Sequence, residues 1–239
     1  MRVDMKFLLS DRRNIADDTQ AFWFHPEKPV RFLAGQFGDF TLTKPRYTDA
    51  KGNTRAFSFA SAPERDDIMI ATRMRDSAFK RSLAELPIGA PVEFEGPMGG
   101  FTLHKDPARP AIFLVGGIGI TPVRSIVEQV IRQKAQRQIF VFYSNTTRAR
   151  MAFLDDFENW RADNPKRSFV PTLTDESPGA WPFETGLLDQ EMLSRHVADL
   201  HAPVYYIVGP PAMVAAMKEM LDEIGVDELQ IKSEDFAGY

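Results

Sequence analysis

Residues 111–122 read AIFLVGGIGITP. Five apolar residues, Ala111–Val115, run into Gly116-Gly117-Ile118-Gly119, and Ile120-Thr121-Pro122 then leads into an amphipathic stretch, Pro122–Ala135. A short, wholly apolar strand of this kind suits a parallel sheet covered on both faces. The glycines let the backbone turn sharply and come close to a pyrophosphate, whose charge is favoured at the helix N-terminus that follows. Pro122 fits the first helical turn, where no N–H is needed. Taken alone, the same string equally describes a tight strand-to-helix turn that holds nothing.

Downstream the alternation continues. IFVFY (139–143) precedes a helical stretch through Met151–Trp160, and SFVPTL (168–173) precedes one around Gln190–Val197. VYYIV (204–208) precedes Ala212–Ile224, and LQIKS (229–233) ends the series. Strand alternating with helix predicts a Rossmann-like α/β domain with a parallel sheet over residues 105–239, with ligands at the carboxyl ends of its strands.

Upstream the rhythm differs. Met5–Leu9, Thr19–Phe24, Gln36–Leu42, Arg55–Ala60, Ile68–Met74 and Pro91–Glu95 are short and rich in β-branched or aromatic residues, with turn chemistry between them. Six such strands predict an antiparallel β-barrel over residues 1–104, interrupted by one helix, Ser77–Leu86. His104–Arg109 is the expected linker.

Composition narrows the chemistry. The 239 residues are 44% apolar and 26% charged, as in an ordinary globular protein. There is no cysteine, which excludes disulfides, a thiolate nucleophile and cysteine ligands for an iron–sulfur cluster. Electron-transfer chemistry therefore requires an organic cofactor held non-covalently, or a histidine-ligated metal. His25, His104, His196 and His201 complete no metal motif and are expected to be structural or exposed. Residues 1–104 carry 15 Lys/Arg against 14 Asp/Glu, a net +1, and the remainder 14 against 19, a net −5. Neither half has the basic stripe of a nucleic-acid-binding domain. The longest apolar run, Ala111–Ile120, is too short to cross a bilayer, and the first residues lack a signal-peptide core. No membrane insertion and a cytoplasmic location are the expectations.

Three further segments carry possible chemistry. In Arg55-Ala56-Phe57-Ser58-Phe59-Ala60-Ser61 the arginine suits a phosphate, and Arg55 and Phe57 share a strand face while Ser58 points to the other. A plain amphipathic strand has the same pattern. Arg73, Arg75, Lys80 and Arg81, with Phe79 and Ser82, suit an anion cradle, a docking surface for an acidic protein, or a solvated face. The tail Glu234-Asp235-Phe236-Ala237-Gly238-Tyr239 places aromatics where chains usually fray, which implies packing against a core or a flat ring.

The order of these motifs along the chain resembles the ferredoxin–NADP reductase superfamily nearly end to end. The family's Gly-Gln-Phe/Tyr strand is similar to Gly35-Gln36-Phe37, and its flavin motif Arg-x-Tyr/Phe-Ser to Arg55-Ala56-Phe57-Ser58. Its Gly-Pro-x-Gly-x-Phe segment is matched by Gly96–Phe101, and its Gly-Gly-x-Gly-x-Thr-Pro motif by Gly116–Pro122. Gly-Pro-x-x-Met is matched by Gly209-Pro210-Pro211-Ala212-Met213, and the terminal Glu-x-Phe/Tyr by Glu234-Asp235-Phe236.

The resemblance implies an FAD-dependent NAD(P)H reductase that passes electrons to a separate acceptor. That acceptor would be a ferredoxin, a flavodoxin, an oxygenase component or a small oxidant. FAD would be bound by the barrel: Arg55 on the diphosphate, Phe57 against the flavin or ribityl region and Ser58 near N5, with Ala56 and Arg73 also among the cofactor-binding residues. The Phe79–Ser82 turn (Phe79, Lys80, Arg81, Ser82) would offer amides to the diphosphate. Phe236 would stack on the isoalloxazine, with Ser58 and Glu234 available for proton relay. Gly117, Gly119, Thr121 and Pro122 would hold the dinucleotide pyrophosphate, and Gly209, Pro210 and Met213 would steer the nicotinamide ribose.

Two departures stand out. Val208 occupies a position where many relatives have cysteine, and Thr174-Asp175 stands where NADP-specific relatives have Ser-Arg. A carboxylate there repels a 2′-phosphate, which leans toward NADH, although Arg148 and Arg150 lie after the second strand. Three competing readings remain: an electron-relay subunit of a larger complex, a reductase of free flavin or ferric chelates, and a binding module with a vestigial site, against which the intact Arg55, Ser58, Gly117, Gly119 and Glu234 argue.

Overall fold

The computed structural model describes residues 3–162, 164, 166–175, 179 and 181–236, so Ala237–Tyr239 of the tail lie outside the described residues. The chain divides into two compact units, Met1–Thr102 with Thr121–Arg132, and Leu103–Ile120 with Gln133–Tyr239.

The first unit is built on β1 (Val3–Ala16), β2 (Thr19–Pro26), β3 (Phe37–Thr41), β4 (Thr54–Ser58), β5 (Ile68–Arg73) and β6 (Pro91–Met98), with α1 (Ala78–Ala84) before β6. They form one antiparallel sheet in the order β4-β3-β6-β1-β2-β5. Just past β4, Ala60 N–H donates to Met69 C=O on the opposite edge strand at 2.7 Å, and Met69 N–H donates to Ser61 Oγ at 2.9 Å. These bonds draw the two edges together and curl the sheet into a half-barrel. All six expected strands are present. β1 runs much longer than Met5–Leu9 because its polar half, which lacks apolar alternation, is held by the ladder with β2, with register shifts between Leu9/Asp11 and Asn14/Ala16.

The interior of this unit is phenylalanine. Phe7 stacks on Phe94 at 4.2 Å, and Phe40 contacts Phe7, Phe24, Phe57 and Phe94. Aromatic pairs of this geometry add about 0.5–1.5 kcal/mol each beyond their burial. The helix α2 (Ile120–Arg132) joins the same unit from Thr121 onward.

The second unit contains β7 (Ala111–Gly116), β8 (Ile139–Asn145), α3 (Leu154–Ala162), β9 (Arg167–Leu173), β10 (Glu184–Thr185), α4 (Gln190–His196), β11 (Val204–Gly209), α5 (Pro211–Glu223) and β12 (Ile231–Asp235). The strands pair in parallel, in the order β10-β9-β8-β7-β11-β12. β7 and β11 are buried at every residue, as strands covered on both faces must be. α3 starts three residues later than its apolar pattern suggests, since Phe153 adopts a left-handed conformation (φ 61°) that starts no helix. The two-residue β10 has no periodicity to announce it.

The expected linker is fastened within this unit. Tyr206 Oη accepts from the His104 backbone N–H at 2.6 Å and meets His104 Nδ1 at 3.0 Å, while Arg137 lies 2.9 Å from His104 Nε2.

Candidate functional site

The parallel sheet reverses its strand order between β7 and β11, since β8 follows β7 on one side and β11 lies on the other. Ligands of open α/β sheets bind at the carboxyl ends of strands at such a switch point. The two strands end in the two glycine motifs, Gly116–Pro122 and Gly209–Met213, which the fold therefore sets side by side. Gly117–Gly119 form a 3-10 turn, with Gly117 at φ 54°, before α2 begins at Ile120.

Only part of the first motif is available to a ligand. Gly117 is partly exposed, whereas Gly119, Thr121 and Pro122 are buried. A Cβ on Gly119 would lie 2.7 Å from Val208 O, so this glycine serves the close approach of the turn to β11. Met213 and Pro210 lie against Gly116. Phe236 N–H donates to Gly209 C=O at 3.0 Å, which ties the chain after β12 to the second motif. Glu234 pairs in register with Val208, and burial pushes its carboxyl up to about 7. Glu234, Phe236, Gly209, Pro210 and Met213 thus cluster with Gly116–Gly119 within one unit.

In the half-barrel, Arg55 and Phe57 do share a strand face, for both meet the Phe79 ring, at 5.3 and 5.8 Å. Phe57 is a core residue, 9% exposed, and Ser58 at the end of β4 is 8% exposed. Ala56, between Arg55 and Phe57, is exposed. Arg55 Nη1 donates to the carbonyls of Lys51, Gly52 and Thr54, whereas its Nη2 is buried without a hydrogen-bond partner among the described residues, 3.8 Å from Asp49 Oδ1. Asp49 Oδ2 accepts from Ala78 N–H at 3.2 Å. Lys80 is half-buried with Nζ donating to Arg73 C=O at 2.7 Å. Burial, then Arg75, then Arg55 lower its pKa to about 8. Two cations crowding a third, with an orphaned guanidinium N–H beside them, fit a polyanion such as a diphosphate.

Two expected ligand residues are buried and hydrogen-bonded within the half-barrel unit. Arg73, 6% exposed, donates to Asp17 C=O and Thr19 Oγ1 in the β1–β2 turn. Ser82, 3% exposed, accepts from Tyr47 N–H at 2.8 Å and donates to Tyr47 C=O at 3.1 Å. Its hydroxyl is engaged by the loop that follows β3. Phe79 is likewise core, with only its backbone at the helix start. Arg81 is exposed and stacks on Tyr47 at 4.0 Å.

The motifs missed that loop. Arg46, Tyr47, Thr48 and Asp49 line a concavity of about 510 Å³ together with Asp76, Ser77, Ala78 and Arg81. The only sequence signal was an Arg-Tyr pair in a turn-rich segment. Thr174 and Asp175 follow β9, with their N–H groups donating to the C=O of Asn145, the last residue of β8, and of Thr146 just beyond it, and Asp175 is exposed. Arg148 is exposed, its guanidinium 6.0 Å from the Trp181 ring. The histidines are engaged, His25 with Asp67, His196 with Glu184 and His201 with Ile224 C=O, and no described group of three His, Asp or Glu converges on a metal position.

Comparison with known proteins agrees with this geometry. The family profile of the oxidoreductase NAD-binding domain matches residues 113–219. A subunit of the Na(+)-translocating NADH-quinone reductase of Actinobacillus succinogenes is 32% identical over 200 residues, 77% of this chain and 49% of that protein. The chain thus spans about half the length of the curated relatives it matches. The flavohem-like FAD/NAD binding domain of nitric oxide dioxygenase from Vibrio cholerae superposes with a TM-score of 0.86 at 18% identity, over 97% of this chain and 98% of that one. A ferredoxin NADP+ reductase from Neisseria gonorrhoeae, with bound FAD and NADP, superposes with a TM-score of 0.78 at 20% identity over 98% of both chains. The second unit carries the oxidoreductase NAD-binding domain over residues 113–219, and the half-barrel followed by a parallel sheet gives the chain the fold of the ferredoxin–NADP reductase superfamily.

Proposed function

We propose that the protein is an FAD-dependent oxidoreductase that takes hydride from NAD(P)H and delivers electrons to a separate acceptor, from a cytoplasmic location. The observation that carries this reading is the pairing of the two glycine motifs at the β7/β11 switch point with Glu234 and Phe236 beside them. FAD, when bound, supplies a centre that accepts two electrons and releases them singly or as a pair.

The chain's own residues have separable tasks. Arg55 and Lys80 neutralise the diphosphate, and the loop at Arg46–Asp49 encloses the same region. Ser58 presents a hydroxyl at the end of β4 for hydrogen bonding at flavin N5. Gly117 admits the nucleotide pyrophosphate, while Gly116, Gly119 and Gly209 let β7 and β11 approach closely enough to form the crevice. Phe236, fastened to Gly209, would stand beside the place where the nicotinamide enters. Glu234, with a pKa near neutrality, holds or releases a proton at its carboxylate. Asp175 favours NADH over NADPH, in keeping with the relative whose name places it in an NADH-quinone reductase. Arg75 and Arg81, the exposed members of the cationic group, suit an acidic carrier protein as acceptor.

That relative's description as one subunit among several also favours a second reading, an electron-relay component of a larger assembly. Among the described residues no helix is long and apolar enough to cross a membrane. One experiment separates the readings: anaerobic visible spectra of the purified protein before and after NADH or NADPH. A flavin spectrum that bleaches rapidly supports the reductase. One that neither nucleotide bleaches supports the relay component, and a colourless protein that cannot be reconstituted with FAD overturns both.

A further inference from the structure

Helix α2 belongs to the half-barrel unit through hydrogen bonds to three consecutive residues beyond Ser58. Arg124 Nη1 donates to Ala60 C=O at 2.7 Å, and Ser125 Oγ donates to Ser61 C=O at 2.6 Å. Ala62 N–H donates to the Glu128 carboxylate at 3.0 Å. The opposite side of this segment is held by the sheet, with Phe59 N–H on Gln36 C=O and Ala60 N–H on Met69 C=O. α2 also reaches the Gly-Gln-Phe strand, because a Cβ on Gly35 would lie 3.0 Å from Ile126 Cδ1.

The chemistry of this attachment is not that of simple packing. The Glu128 side chain is 4% exposed and is ringed by Arg65 at 2.6 Å, Arg124 at 3.2 Å and Arg132 at 3.1 Å. A buried ionic cluster adds little bulk stability, since apolar side chains of similar volume often do as well. What it adds is direction: each bond fixes one peptide group of residues 60–62. A strand held this way cannot slip by a residue, which would reverse the faces on which Phe57 and Ser58 lie.

We propose that Arg124, Ser125 and Glu128 are positioning residues for flavin reduction, holding the 58–62 main chain so that Ser58 meets the flavin edge in register. The proposal rests on the reductase reading. Misplacement of a reacting group by about 1 Å lowers a rate on the order of a hundredfold, so loosening this clamp should act on rate rather than on nucleotide affinity.

The test uses the FAD-loaded protein and four variants: Ser125→Ala, Arg124→Ala, Arg124→Lys, and Gln129→Ala as a control on the same helix, whose side chain reaches Glu64. Anaerobic stopped-flow bleaching by NADH is followed against nucleotide concentration, with bound FAD quantified from the visible spectrum. Ser125→Ala and Arg124→Ala should keep FAD and a half-saturating nucleotide concentration within about twofold of wild type. Their limiting bleaching rate should fall about tenfold or more. Arg124→Lys should recover part of the loss, and Gln129→Ala should match wild type. Wild-type rates in FAD-loaded Ser125→Ala and Arg124→Ala would overturn the proposal, as would an equal rate loss in Gln129→Ala. A wild-type protein that holds FAD but is not bleached would overturn the reductase reading first, and the positioning role with it.

Discussion

Gly116 and Gly209 stand back to back at the switch point: a Cβ on Gly209 would lie 3.0 Å from both the Cα and the N of Gly116. The contact is backbone against backbone, so no side-chain rotation relieves it. Gly209→Ala should therefore widen the β7/β11 crevice, with an overpacking cost of about 1–3 kcal/mol. The half-saturating NADH concentration should rise about tenfold, equivalent to roughly 1.4 kcal/mol, while FAD content stays at the wild-type level. Bleaching titrations check this, and an unchanged NADH dependence would count against nucleotide binding at the crevice.

Glu234 carries a pH signature. Burial raises its pKa to about 7, so the folded protein binds a proton there that the unfolded chain releases near the ordinary value of 4.5. Its contribution to stability is present in full below pH 4.5 and is lost as pH rises through 7. Glu234→Gln should remove this component of the pH dependence of thermal unfolding. If the carboxyl also relays a proton, the same variant should flatten the pH profile of flavin turnover between about pH 6 and 8.

Lys80 governs the pH dependence of the cofactor. Its pKa of about 8 reflects burial and the neighbouring Arg75 and Arg55, and a bound diphosphate favours the charged form. FAD affinity should be full below pH 8 and should fall as pH rises above it, by up to about tenfold per pH unit. Fluorescence titrations of free FAD from about pH 6.5 to 9.5 would show the slope, and Lys80→Gln should bind more weakly with a flat profile. A wild-type profile already flat above pH 8 would remove Lys80 from the diphosphate site.

Asp175 bears on nucleotide choice. It is exposed, with its backbone N–H fixed on Thr146 C=O, so replacing the side chain should leave the loop in place. Asp175→Ser should raise the kcat/KM for NADPH relative to NADH by about tenfold, in line with removal of one like charge near a phosphate. Parallel steady-state assays decide it, and an unaltered ratio would leave specificity to Arg148 or Arg150.

Much of this architecture was legible in the sequence because apolar runs and glycines report on strands and turns directly. AIFLV followed by three glycines did become β7 and its turn, and each strand of the half-barrel lies where β-branched and aromatic residues cluster. Side-chain direction was less legible. Arg73 has the same charge as Arg75, yet a backbone carbonyl and a threonine hydroxyl in the β1–β2 turn draw it inward. Ser82 has the composition of a ligand residue, but the nearest groups needing it are the amide and carbonyl of Tyr47. The clamp formed by Arg124, Ser125 and Glu128 joins residues more than sixty positions apart in sequence, and no local pattern signals such a pairing.

β12 lies at the edge of the parallel sheet, with β11 as its only neighbouring strand among the described residues. Edge strands are released by small local openings that leave the rest of a sheet intact. Glu234 and Phe236 would leave together in such an opening, since Phe236 is fastened to Gly209 and Glu234 is paired with Val208 in the same ladder. The site would then be assembled and dismantled as one cooperative segment. Amide hydrogen exchange along residues 231–236 would report that equilibrium directly, and ligands that need both residues should slow exchange there more than along β7.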